Sequence, residues 1–178
     1  MNVINNKRKK ESQEKIEKIF IELIQTKELN EISVSDICKK AKLNRTTFYS
    51  NYIDIYDLAD KIKETLFNEV LNLYPEETKT KKHSYDFLKL FKHIKENQLF
   101  YKTYFKLNYD NNDVFDGMID YSEVEKFYGN EKNILYHITF FKSGLNAVIK
   151  RWLNSNCKES PEEIRDVIIN EYKNKSNF

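Results

Sequence analysis

The sequence predicts an all-helical chain in which a small basic N-terminal domain precedes a larger helical one. Only 3 Gly and 2 Pro occur among 178 residues, so phosphate-cradling glycine loops and the dense turns of a β-sandwich or barrel lack raw material. Apolar residues recur at helical spacing in segment after segment, separated by short polar breaks. Charge is distributed unevenly: residues 1–50 hold 11 Lys and Arg against 7 Asp and Glu, whereas residues 51–178 hold 19 against 21. Only the first segment is therefore suited to meet a polyanion.

At 21.5 kDa, with 40% hydrophobic and 33% charged residues, the chain folds rather than staying disordered, and a core of this size needs no disulfide staples. Cys38 and Cys157 lie far apart without metal-ligand spacing and read as reduced thiols. No apolar run approaches the ~20 residues of a membrane span, and the polar start has no signal-peptide core. The expectation is a cytoplasmic protein with no membrane partner, no metal and no cofactor.

Taken in order, Ile16, Ile19, Phe20, Leu23 and Ile24 form one buried stripe on a helix that opens at Ser12. Ser33 with Asp36 three residues later resembles a capping box and starts a two-turn helix bearing Val34, Ile37, Cys38 and Ala41. Asn44 caps a third, very short helix from Arg45 to Tyr49. Asp54 caps a longer helix carrying Leu58, Ile62, Leu66, Val70 and Leu73, a connector over about residues 54–74. Further helices are expected over residues 84–97, 98–107, 113–128, 130–154 and 161–175, the last opened by Ser160-Pro161-Glu162-Glu163.

Two short helices joined by a tight turn, after a longer amphipathic helix, describe a helix-turn-helix DNA reader. The second is too polar for a core element, since only Phe48 is plainly built for burial. Arg45 suits guanine O6 and N7, Thr46 and Thr47 offer hydroxyls and methyls to base edges, and Tyr49 can reach a phosphate. Lys7, Arg8, Lys9 and Lys10 read as a mobile basic arm that adds sequence-independent, salt-sensitive affinity. Without further support, residues 45–49 would also pass as a surface turn of an unrelated bundle.

The stretch Ile16 to Leu58, above all Ile37-Cys38-Lys39-Lys40-Ala41-Lys42-Leu43-Asn44-Arg45-Thr46-Thr47-Phe48-Tyr49-Ser50-Asn51-Tyr52, resembles the DNA-binding domain of the TetR family of bacterial transcriptional regulators. A second resemblance runs from Phe141-Lys142-Ser143-Gly144-Leu145 through Trp152-Leu153 to Ser160-Pro161-Glu162-Glu163-Ile164, similar to the family's last two helices. Three positions depart from the pattern. Lys42 replaces the usual turn glycine, Asn44 stands for a frequent serine, and Ile55 replaces a lysine that contacts phosphate. The resemblance implies a three-helix DNA-binding domain over residues 1–58 and a ligand-binding and dimerisation domain over residues 75–178. It also adds Ser33, Lys42, Asn44 and Tyr52 to the DNA-facing set.

Of the 25 aromatic residues, 18 lie beyond residue 74. The family's effector cavity makes Phe87, Phe91, Tyr101, Tyr104, Phe105, Phe127, Tyr128, Tyr136 and Phe140 candidate linings for a small apolar or aromatic effector, although an aromatic at helical spacing more often serves the core. The acidic residues Asp110, Asp113, Asp116, Asp120, Glu123 and Glu125 read as a solvated helix face. The resemblance assigns Phe141, Leu145, Val148, Trp152, Ile164, Val167 and Ile168 to a homodimer interface; otherwise these residues would pass as monomer core.

Enzymatic readings have no support in the sequence, because His83, His93 and His137 are isolated and no HExxH or GxSxG motif occurs. The expectation is a ligand-responsive homodimeric repressor on a palindromic double-stranded DNA operator. The alternative is a DNA-bound module whose larger domain docks a protein partner and holds no small molecule.

Overall fold

The computed structural model describes residues 3–75, 87–107 and 133–173. Among these, eight α-helices occur and no strand: α1 (Val3–Ile24), α2 (Val34–Ala41), α3 (Arg45–Tyr49), α4 (Ile55–Asn72), α5 (Phe87–Glu96), α6 (Gln98–Leu107), α7 (Ile134–Asn154) and α8 (Pro161–Lys173). The helix expected over residues 113–128 lies outside the described residues. The chain divides into two compact units, Met1–Leu66 with Thr103–Leu107, and Phe67–Lys102 with Asn108–Phe178.

In the first unit α1 packs on α2 and α3. Ile16, Phe20, Leu23 and Ile24 of α1 are buried with Ile37 and Cys38 of α2, Phe48 of α3, and Ile55, Leu58, Ala59 and Ile62 of α4. Gln25 is tied to the end of α6, its Nε2 donating to Thr103 Oγ1 at 2.9 Å and its carbonyl accepting from Lys106 Nζ at 2.7 Å. α1 begins at Val3 rather than at Ser12, which corrects the expected arm: Lys7, Arg8, Lys9 and Lys10 are exposed residues of a helix. No glycine or proline interrupts residues 3–24, and lysine, arginine and glutamate are good helix formers.

In the second unit α8 packs on α5. Phe91 of α5 meets Trp152 of α7 edge-on, with ring centroids 5.9 Å apart, and Phe87 lies 5.9 Å from Phe141. Trp152 Nε1 donates to the Glu159 carbonyl at 3.1 Å, which anchors the turn into α8. That helix opens on a full capping box, Ser160 N–H donating to Glu163 Oε2 at 2.7 Å and Glu163 N–H to Ser160 Oγ at 3.2 Å.

Candidate nucleic-acid interface

The helix-turn-helix is assembled by local side-chain chemistry. Ser33 Oγ accepts from Asp36 N–H at 3.1 Å while Asp36 Oδ2 accepts from Ser33 N–H at 3.4 Å, closing the box that starts α2. These two bonds, with the Lys27 ammonium 3.5 Å away, hold the Asp36 carboxyl below its ordinary range. Lys42 ends the helix in the left-handed conformation, φ 55° and ψ 43°, and its N–H returns to the Cys38 carbonyl. A glycine enters this conformation without steric cost, whereas lysine does so with strain. The turn therefore keeps the geometry of a glycine turn while carrying a cation.

Asn44 then caps α3, its Oδ1 accepting from both Thr47 N–H and Thr47 Oγ1–H at 2.7 Å. Phe48 is fully buried and pins the helix, so Arg45, Thr46 and Tyr49 are left on the exposed side. Arg45 and Tyr49 are one turn apart and share a face. Residues 37–50 contain Lys39, Lys40, Lys42 and Arg45 and no acid, and all four cations are exposed. Burial pushes the Cys38 thiol up, against the opposing charge of Arg45, so it serves packing.

Two expected DNA contacts move inward. Tyr52 is 2% exposed and its hydroxyl donates to Glu17 Oε1 at 2.7 Å, so it joins α1 to the start of α4 instead of facing DNA. Burial first, then Glu17, pushes this hydroxyl far above its ordinary titration range. Thr47 is half-buried and spends its only hydroxyl proton on Asn44, which makes it the internal pin of α3. Ser33, Lys42 and Asn44 remain exposed while serving the turns. Ile55, in the place of the phosphate-contacting lysine, is buried at the root of α4. Ile53 and Tyr56, 79% and 58% exposed, stand beside it; apolar residues in a helical pattern give no sequence signal for such exposure.

The candidate effector residues do not form one group. Phe91, Tyr101 and Tyr104 are buried, Phe87 and Phe105 half-buried, and Tyr136 and Phe140 exposed on α7; Phe127 and Tyr128 lie outside the described residues. Tyr101 OH and His93 Nδ1 are 2.7 Å apart, giving that histidine a packing role. Sequence reasoning missed Lys142 and Asn146, both buried on the inward side of α7.

The interface stripe is also corrected. Leu145, Trp152, Ile164 and Ile168 are buried within the single chain, and Phe141 and Val148 are half-buried; only Val167 is exposed. A helical stripe records that a face is covered, not which chain covers it. Two residues of this stripe meet α5, Phe141 against Phe87 and Trp152 against Phe91. The outward face of α7 instead carries Tyr136, Phe140, Gly144 and Ala147, and a Cβ built on Gly144 meets nothing within 4 Å.

No helix among the described residues is long and apolar enough to cross a membrane, and none of their His, Cys, Asp and Glu side chains cluster in threes suited to a metal. A capped helix-turn-helix with a basic exposed face, in an all-helical chain with a second helical unit, is the architecture found in transcriptional regulators that bind DNA. The family model for the transcriptional regulator C-terminal region of TetR type matches residues 81–171, just over half of the chain, and the protein belongs to the TetR family.

The chain is 32% identical over 105 residues to the dhaKLM operon transcriptional activator DhaS of Lactococcus lactis subsp. lactis (strain IL1403), covering 59% of this chain and 54% of that protein. The match thus spans about half the length of that curated relative. A solved structure of a dihydroxyacetone kinase operon activator, DhaS, superposes with a TM-score of 0.53 at 23% identity, over 89% of this chain and 92% of that one, a likeness in fold.

Proposed function

We propose that the protein works as a homodimeric, sequence-specific regulator that reads a palindromic operator with α3 and takes its signal through the second unit. The observation that carries this reading is the arrangement of α3, capped through Asn44 and pinned by Phe48, with Arg45, Thr46 and Tyr49 on its exposed side. Two such helices, one from each subunit, would enter successive major grooves about one DNA turn apart. The apolar outward face of α7 is the surface offered to the second copy. A small effector in the second unit would act by favouring one of two half-site spacings.

Activation replaces repression as the sign to test, because the relative sharing 32% identity is named an activator. The decisive experiment is enrichment of DNA from a randomised duplex pool by the purified protein, followed by a reporter driven from the enriched sequence. A palindromic product with two half-sites and raised reporter output supports this reading. Enrichment of a single half-site removes the dimeric mechanism, and lowered output restores repression.

A further inference from the structure

We infer that Lys61 and Asn51 are positioning residues for DNA recognition: they tether the C-terminal end of α3 to α4, so that the face bearing Arg45, Thr46 and Tyr49 keeps one orientation. This rests on the DNA-reading function proposed above. α3 has five residues, and a helix so short is not held by its own backbone bonds. Its terminal carbonyls need partners from outside the helix.

Backbone N–H groups of the following turn serve two of them, Ser50 donating to the Thr46 carbonyl at 3.0 Å and Asn51 and Tyr52 to the Phe48 carbonyl at 2.9 and 3.0 Å, and side chains serve the third. The Thr47 carbonyl accepts from Asn51 Nδ2 at 2.8 Å and from Ser50 Oγ at 2.8 Å. The Asn51 carbonyl in turn accepts from Lys61 Nζ, two turns into α4, at 3.2 Å. Lys61 is itself fixed on three sides, by Asn51, by Asp57 Oδ2 at 3.0 Å, and by the Tyr52 ring, whose centroid lies 5.1 Å from the ammonium. Asp57 Oδ2 also accepts from Ile53 N–H at 2.8 Å, so the same carboxylate holds the loop between α3 and α4. A continuous set of bonds therefore runs from α4 through the loop to the middle of α3.

Two details separate positioning from direct contact with DNA. Lys61 shares its charge with Asp57, which weakens it as a partner for phosphate. Asn51 Oδ1 is buried without a hydrogen-bond partner, so this asparagine serves the fold through its donor, the amide aimed at Thr47.

The test compares wild type, Lys61→Met, Lys61→Arg and Asn51→Ala on two duplexes of equal length, one enriched by the wild-type protein from a random pool and one unrelated. Lys61→Met keeps the aliphatic stem over Tyr52 and removes only the ammonium. Loss of these bonds should lower the ratio of affinities for the two duplexes about tenfold in Lys61→Met and Asn51→Ala, with binding to the unrelated duplex and its salt dependence unchanged. Lys61→Arg should recover most of the ratio. Circular dichroism confirms folding, and if Asn51→Ala fails to fold, Lys61→Met decides. An unchanged ratio overturns the inference, as does an equal loss on both duplexes with a flatter salt dependence, which would make Lys61 a phosphate contact. If the wild-type protein enriches no sequence, the DNA-reading function itself falls, a failure distinct from the other two.

Discussion

Asn44 Oδ1 takes both protons that Thr47 can offer in its direction, the amide and the hydroxyl, each at 2.7 Å. One carboxamide oxygen thereby fixes the start of α3 and engages both donors of a threonine that its spacing alone would assign to base reading. Asn44→Ala should destabilise the first unit by about 1 kcal/mol, the usual cost of a lost N-cap. Because Thr47→Val removes one of the same two bonds, the double variant should lose less than the sum of the singles. Urea unfolding of the four proteins checks this, and strict additivity would mean that the two side chains are not coupled.

The caps were legible because each is written within four residues. Ser33 with Asp36, Asn44 with Thr47, Asp54 with Asp57, and Ser160 with Glu163 all form as the sequence implies. What failed was long-range or concerned which surface covers which. Tyr52 finds Glu17 35 residues earlier, and no local pattern announces that meeting. The stripe on α7 announced burial, but its spacing did not say what lies against it: Leu145 and Trp152 are buried within the single chain, and Phe141 and Trp152 meet Phe87 and Phe91 of α5. Lys61 escaped notice because a lysine on an exposed helix face is ordinarily solvated.

Lys42 sets backbone strain against charge. Lys42→Gly should relieve the left-handed conformation and, after allowing for the greater freedom of glycine in the unfolded chain, stabilise the first unit by up to about 1 kcal/mol. The same change removes a cation from the exposed basic face, so DNA affinity should fall and the slope of log K against log salt should drop by about 1 if the side chain meets a phosphate. Thermal melts and salt-titrated binding on one preparation separate the two effects. A melt lowered by the glycine would show that the turn carries no strain.

Arg45 is the exposed residue of α3 best suited to a guanine edge. Arg45→Ala should cost ~1 to 3 kcal/mol on the enriched operator and relax preference at one symmetric pair of positions. Replacing Lys7, Arg8, Lys9 and Lys10 with glutamine should instead weaken binding to every duplex and flatten its salt dependence. Equal losses on operator and unrelated DNA for Arg45→Ala would make it a backbone contact.

Asp36, Asp57 and Glu163 all have depressed carboxyl pKa values, chiefly because they accept hydrogen bonds at helix starts: Asp36 and Glu163 from Ser33 and Ser160, Asp57 from Ile53 N–H. A carboxyl lowered on folding adds stability that is present above its unfolded pKa and lost as pH falls through the folded value. The ordinary values are 3.8 for aspartate and 4.5 for glutamate, so stability should begin to fall below that range and continue falling beneath it. Asp36→Asn should make the acid-side decline of the first unit shallower, as followed by thermal melts across pH. An identical decline in the variant would remove this box from the account.

The two kinds of apolar residue on α7 separate folding from association. Leu145 is 1% exposed and faces inward, so Leu145→Glu would bury a charge in the chain's own core and should unfold the second unit. Ala147 is exposed on the outward face of α7, one turn from Gly144, where an added Cβ meets nothing within 4 Å. Ala147→Glu should therefore leave helicity and thermal stability of the isolated chain nearly intact while placing like charges against one another across a two-fold interface. Sedimentation should show wild type as a dimer at micromolar concentration and Ala147→Glu as a folded monomer. That monomer should also bind the palindromic operator far more weakly, since one recognition helix engages only one half-site. A dimeric Ala147→Glu protein would place the interface elsewhere, and a monomeric wild type would remove the paired-helix mechanism altogether.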